Sequence, residues 1–125
     1  MELVGAAPTG DLDLVRLLDV TGEQVVVTEA ASYTFAMTDS GTIVESTSAS
    51  ALTFTVPTNA SVAFPVGTRL DVTQYGAGVL SVAAAAGVTI RSLGGTGTRA
   101  LAGQYASATL YKRATNEWVL IGALT

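Results

Sequence analysis

The sequence predicts an all-β protein: a compact antiparallel β-sandwich or barrel-like domain with an extended N-terminal arm. Three observations predict it. The chain holds 15 Val, 3 Ile and 18 Thr against only 14 Glu, Gln, Lys and Arg, a composition that favours pleated strands over helices. Apolar and polar positions alternate in short runs, the period of a strand with one buried face. Turn residues then interrupt those runs before a long helix can develop.

The length of 125 residues suits one core, divided here into an arm over residues 1–23 and a β-domain over residues 24–125. Within the arm, Pro8-Thr9-Gly10 marks a turn or joint, and Asp11 opens DLDLVRLLDV. Leu14, Val15, Leu17 and Leu18 fit one helical face with Asp11 as N-cap, whereas Leu12 and Leu14 alone fit a strand equally well. Both readings stay open, as do the two fates of the arm: folded onto its own domain, or docked on a neighbouring subunit or lattice. Leu12, Leu14, Val15, Leu17 and Leu18 are its candidate contact residues.

The β-domain begins with the apolar strand Gln24 to Thr28, followed by one in which Tyr33, Phe35 and Met37 alternate with Thr34, Ala36 and Thr38. Asp39-Ser40-Gly41 turns the chain into Thr42 to Thr47, and Ser46 to Ser50 is a polar joint. Leu52, Phe54 and Val56 then place three large apolar side chains opposite Thr53 and Thr55, the cleanest two-residue period in the chain. Pro57 and Pro65 exclude a continuous strand between them. Beyond Phe64-Pro65-Val66-Gly67, Leu70, Val72 and Gln74 alternate with Arg69, Asp71 and Thr73 up to the turn at Tyr75-Gly76-Ala77-Gly78.

Leu80 and Val79 lie on opposite faces of the next run, Val79 to Ala83, which is expected to form a hairpin with Val88 to Ser92, where Val88 and Ile90 share a face. Gly78 and Gly87 bracket the four-alanine run too closely for a stable helix. Leu93 to Gly97 reads as a mobile glycine-rich loop; it lacks the Lys-Ser/Thr and the helix that a phosphate cradle needs. In Tyr105 to Lys112, Ala106, Ala108 and Leu110 form the inner face. Thr115-Asn116 turns that strand back into Glu117 to Ile121, with Trp118 and Leu120 in the core.

Chemistry is sparse. With neither His nor Cys, Ser-His-Asp and Cys-His catalysis and ordinary zinc sites are excluded, and so are disulfides. Asp11 and Asp13 read as a solvated acidic turn, since a calcium site needs more oxygen ligands. Asp71, Glu45 and Glu117 are expected to face outward from separate strands, without the convergence that glycoside hydrolysis requires. No enzyme activity and no cofactor are expected. One lysine and five scattered arginines in a chain of net charge −4 argue against nucleic acid, and no apolar run approaches a membrane span.

Of the 49% apolar residues, 20 are alanines, which bury little area each. A mean hydropathy of +0.47 with only 13% charged residues therefore points to association with copies of itself or with a larger surface.

A family resemblance sharpens this. SASALTFTVP (Ser48 to Pro57), FPVGTRLDVTQYGAG (Phe64 to Gly78), GVTIRS (Gly87 to Ser92) and QYASATLYKRATNEWVLIGAL (Gln104 to Leu124) together resemble a β-domain of tailed-bacteriophage virion proteins: capsid decoration proteins, head fibres and tail fibres. The likeness spans residues 44–124 and does not extend over residues 1–43. It implies a non-enzymatic β-rich module, trimeric or otherwise oligomeric, whose partner is the major capsid protein when it coats the shell. A short arm with one compact domain suits a decoration protein on the capsid surface better than a long fibre. The rival reading is a head- or tail-fibre module that recognises receptor glycans, with Tyr33, Tyr75, Tyr105 and Tyr111 as stacking residues.

Overall fold

The computed structural model describes residues 24–125, and all that follows concerns those residues. The fold is an all-β sandwich of two sheets. Its strands are β1 (Val26–Glu29), β2 (Tyr33–Thr34), β3 (Ile43–Ser46), β4 (Leu52–Val56), β5 (Arg69–Gln74), β6 (Leu80–Ala84), β7 (Thr89–Ser92), β8 (Gly95–Thr96), β9 (Arg99–Ala100), β10 (Ser107–Ala114) and β11 (Glu117–Gly122). The larger sheet runs β1-β3-β5-β10-β11-β7-β8 and the smaller β2-β4-β6-β9.

The sandwich expected from sequence is present, but its pairing is mixed and not simply antiparallel. From β1 to β6 successive strands alternate between the sheets, so β1, β3 and β5 run parallel in one and β2, β4 and β6 run parallel in the other. Each parallel neighbour is reached by way of a strand in the opposite sheet, which supplies the crossover that parallel pairing demands. The chain thus winds as a flattened coil. The β10-β11 hairpin, antiparallel within itself and to β5, then closes it.

The same alternation corrects the hairpin expected between Val79–Ala83 and Val88–Ser92. β6 belongs to the smaller sheet, whereas β7 belongs to the larger and pairs in parallel with β11. Two apolar faces must be buried here, and placing consecutive strands on opposite layers buries both against each other. The second expected strand also stops early: after Tyr33–Thr34 the chain makes a 3-10 turn over Met37–Asp39 that leaves Met37 exposed. The Leu93–Gly97 segment, expected to be a loose loop, contains a tight hairpin in which Ser92 opposes Gly95. Arg99 clasps it by donating from Nη1 to Ser92 Oγ and Leu93 O, both at 2.7 Å, and from Nη2 to Thr125 O at 2.9 Å.

Alternation along the strands supplies the core. Leu52, Phe54 and Val56 of β4 face Leu70 and Val72 of β5, Leu110 of β10, and Trp118 and Leu120 of β11 across the sandwich, all of them buried. Phe35 and Phe54 meet edge to face at 5.8 Å, and Phe64 meets Trp118 at 5.5 Å and 90°, the geometry aromatic quadrupoles favour. At one end of the coil the corners stack through main-chain bonds: Thr47 N donates to Glu29 O, Gly76 N to Ser46 O and Gly78 N to Ser48 O. Gly76 and Gly78 permit this closeness, because a Cβ at Gly78 would lie 2.1 Å from Ser50 O.

Asp39, Thr42, Ser46, Thr68, Gln74 and Lys112 are buried, and the three larger or charged ones among them each find partners. Lys112 follows Leu110 on the inner face of β10, and its Nζ donates to Asn59 Oδ1 at 2.5 Å and Phe64 O at 2.6 Å. Gln74 Oε1 accepts from Leu80 N at 3.1 Å, tying the end of β5 to the start of β6. Asp39 Oδ2 accepts from Tyr33 Oη at 2.6 Å and from Ala36 N at 2.7 Å.

The Tyr33 phenol is consequently pushed up to about 12, first by burial and then by its bond to the Asp39 carboxylate and the charges of Asp39 and Glu29. A phenol whose folded value exceeds its unfolded one stabilises the fold fully below the unfolded value of 10.0 and loses that contribution as pH rises through about 12. Alkaline titration followed by phenolate absorbance is expected to show Tyr33 ionising well after an unperturbed tyrosine, with stability falling across the same interval. Asp39→Asn should bring Tyr33 back toward the ordinary range.

Candidate functional site

The larger sheet carries its functional candidates on its outer face. The register aligns Val26, Ile43, Asp71, Thr109 and Ile121 in one row across β1, β3, β5, β10 and β11. Val26 and Ile121 remain 53% and 51% exposed, and Tyr111, two residues beyond Thr109, is 37% exposed. Val26 and Ile43 are thus neighbours at one side of this row and Ile121 stands at the other, with Asp71 and Thr109 between them on the outer face of the seven-stranded sheet. Asp71 accepts from Thr109 Oγ1 at 2.5 Å and from Gln24 Nε2 at 3.0 Å. A shallow depression of about 370 Å³ lies there, lined by Ile43, Asp71, Thr73, Ser107, Thr109 and Ile121 among others.

Asp71, Glu45 and Glu117, the carboxylates singled out from sequence, occupy separate surroundings. Asp71 is bound by a hydroxyl and an amide, while Glu117 accepts from Arg91 Nε at 2.6 Å and Arg113 Nη1 at 3.1 Å. Arg91's hydrogen bond, followed by the charges of both arginines, holds the Glu117 carboxyl below its ordinary value despite some opposing desolvation. Glu45 projects from β3, beside Thr73 of β5 and not beside Asp71. Among the described residues no group of three or more His, Cys, Asp or Glu is placed to hold a metal ion.

The four tyrosines separate into three settings. Tyr33 is fastened to Asp39 and packs half-buried against Phe35 and Phe54 of the core. Tyr111 belongs to the outer face of the larger sheet. Tyr75 and Tyr105 come together at the end of the β5-β10 ladder, edge to face with ring centroids 5.6 Å apart, and are 53% and 66% exposed. Sequence distance hid this pair: 30 residues separate its members, and only the antiparallel alignment of β5 with β10 joins them.

The backbone beneath Tyr105 is strained. Ala106 N donates to Gly103 O, closing a turn whose third residue, Tyr105, has φ +70°. That is the position and conformation for which glycine is the usual occupant. A side chain in the left-handed region costs roughly 1–2 kcal/mol. Tyr105 N also donates to Gln74 O, and Gln104 Nε2 to Tyr75 O, so both tyrosines are pinned to the same corner.

Leu12, Leu14, Val15, Leu17 and Leu18, the contact candidates from sequence, lie outside the described residues. Comparison with known proteins adds no relative: no family model, no curated protein and no solved structure matches this chain.

Proposed function

We propose that this protein is a bacteriophage virion structural protein, a capsid decoration protein that assembles as a homotrimer and binds the major capsid protein on the outside of the shell. The observation that carries the reading is the row Val26, Ile43 and Ile121 on the solvent face of the larger sheet, with Tyr111 alongside. A monomer gains nothing from leaving these apolar side chains wet, whereas burying them between copies removes apolar area at roughly 25 cal/mol per Å². The sequence resemblance over residues 44–124 supplies the setting.

In this account the sandwiches associate through their outer faces around a local symmetry axis, and residues 12–18 contact the shell. Several weak contacts per oligomer act together, so a coat of such oligomers reinforces the capsid against the pressure of packaged DNA. Removal of residues 1–23 is expected to leave the strand spectrum unchanged while abolishing co-sedimentation with undecorated capsids. Undiminished co-sedimentation of the shortened protein would assign capsid contact to the β-domain instead.

A further inference from the structure

We propose that Leu93, at the tip of the β7-β8 hairpin, seats in the outer-face depression of a second copy of this chain. The contact rests on the self-association put forward above and gives it a specific junction. Its first support is the way the leucine is presented. Leu93 is 95% exposed, more than any other large apolar side chain among the described residues. The turn does not require it: Gly94, at φ +94°, supplies the left-handed corner of the tip, and a polar residue at position 93 would serve the hairpin as well. Nor is the tip loose, since the Arg99 guanidinium donates to both Ser92 Oγ and Leu93 O and so clasps it from behind. Leu93 borders a hollow of about 350 Å³ beside Ile121 and Leu124 of its own chain and leaves it unfilled. An apolar anchor held this firmly loses little freedom on entering a partner's pocket.

The second support is a receiving surface of fitting size and chemistry. The depression of about 370 Å³ on the larger sheet is lined on its apolar side by Ile43, Ala108 and Ile121. Removing one leucine side chain from a core opens roughly 150 Å³, so the depression has room for Leu93 and part of the tip that carries it. Gly94, Gly95 and Gly97 carry no side chains to hold that tip off the rim.

The third support is charge, and it points to a second copy as the partner. From Ile90 to Ala102 the chain carries Arg91 and Arg99 and no carboxylate. The lining of the depression holds Asp71 and neither Lys nor Arg, and Glu45 lies beside its Thr73. Asp71 accepts from the neutral Gln24 and Thr109, so its charge is available to a cationic tip. Both halves of a complementary pair thus occur on one chain at different places. Each copy can give its tip to one neighbour and its depression to another, a heterologous contact that closes into a ring.

The test is sedimentation velocity of the full chain over a concentration series, comparing wild type with Leu93→Asp, Leu93→Ser and Ile121→Lys. All three variants are expected to keep the wild-type far-ultraviolet circular dichroism, because both positions are exposed, and to raise the dissociation constant roughly tenfold or more. An equal mixture of Leu93→Asp and Ile121→Lys is expected to recover association, since the intact tip of the second variant meets the intact depression of the first. The contact is overturned if both Leu93 variants associate within twofold of wild type, or if the mixture associates no better than its components. It is also overturned if the Leu93 variants keep their self-association but lose co-sedimentation with undecorated capsids, which would put the tip on the shell. In each of these cases the self-association of wild type stands. A wild type that stays monomeric throughout the series would remove that association, and this contact with it.

Discussion

Replacing Trp118 with alanine is expected to destabilise the fold by about 3–5 kcal/mol, the range for removing a large aromatic side chain from a core. The indole is 1% exposed, stands edge-on to Phe64, and shares its register position with Ile90 of β7 on one side and Lys112 of β10 on the other. Its loss would open a cavity where the hairpin that closes the coil meets the Pro57–Pro65 connection, and would also loosen the ring beside the Phe64 carbonyl that accepts from Lys112. Since a domain of this size is held by only about 5–15 kcal/mol, the variant should be near the edge of folding. Urea denaturation followed by far-ultraviolet circular dichroism checks this, because the substitution removes the sole tryptophan fluorophore. A loss below about 1 kcal/mol would show that the indole does not occupy the core.

Gly78→Ala is expected to cost about 3 kcal/mol for a different reason. Its new Cβ would meet Ser50 O at 2.1 Å and Ser50 C at 2.4 Å, and both are main-chain atoms that no rotamer change can move aside. The Gly78 N bond to Ser48 O and the Leu52 N bond to Val79 O tie the same two corners together, so relief of the clash must stretch the stack that sets the register of β4 against β6. Gly103→Ala is the matched control. A Cβ there meets nothing within 4 Å, and the change should stay within about 0.5 kcal/mol of wild type. Equal losses for the two variants, measured in the same denaturation series, would mean that close corner packing is not what glycine provides at position 78.

Much of the sandwich was legible from local rhythm. Leu52, Phe54 and Val56, Leu70 and Val72, Ala108 and Leu110, and Trp118 and Leu120 all point inward as their two-residue period requires, because a strand with one buried face has no other way to sort its side chains. The β10-β11 hairpin was legible as well: Asn116 takes the φ +56° that the turn demands, a conformation asparagine tolerates better than most residues. Partner choice was not. Alternation says which face of β6 is buried but not whether β7 folds back beside it or crosses to the opposite sheet, since both arrangements bury Leu80 and Ile90 equally well.

Polar interiors were only half legible. Continuing the period of β10 past Leu110 puts Lys112 inside, but the carbonyl partners that make this tolerable, Asn59 and Phe64, lie about fifty residues earlier and carry no local mark. The Tyr75-Tyr105 corner was hidden in the same way. Its members were visible singly as tyrosines beside turns, whereas their contact depends on β5 and β10 pairing, and the left-handed backbone of Tyr105 runs against residue preference. The Leu12–Leu18 candidates rest on sequence alone, since the described residues begin at Gln24.

The central claim, that this sandwich is an oligomeric coat subunit, is tested most directly by electron microscopy of particles with and without the protein. The account predicts difference density on the outer capsid surface, grouped in threes around local symmetry axes, with the larger sheets of neighbouring protomers facing one another. Density confined to the tail, or identical particles in both preparations, would contradict it.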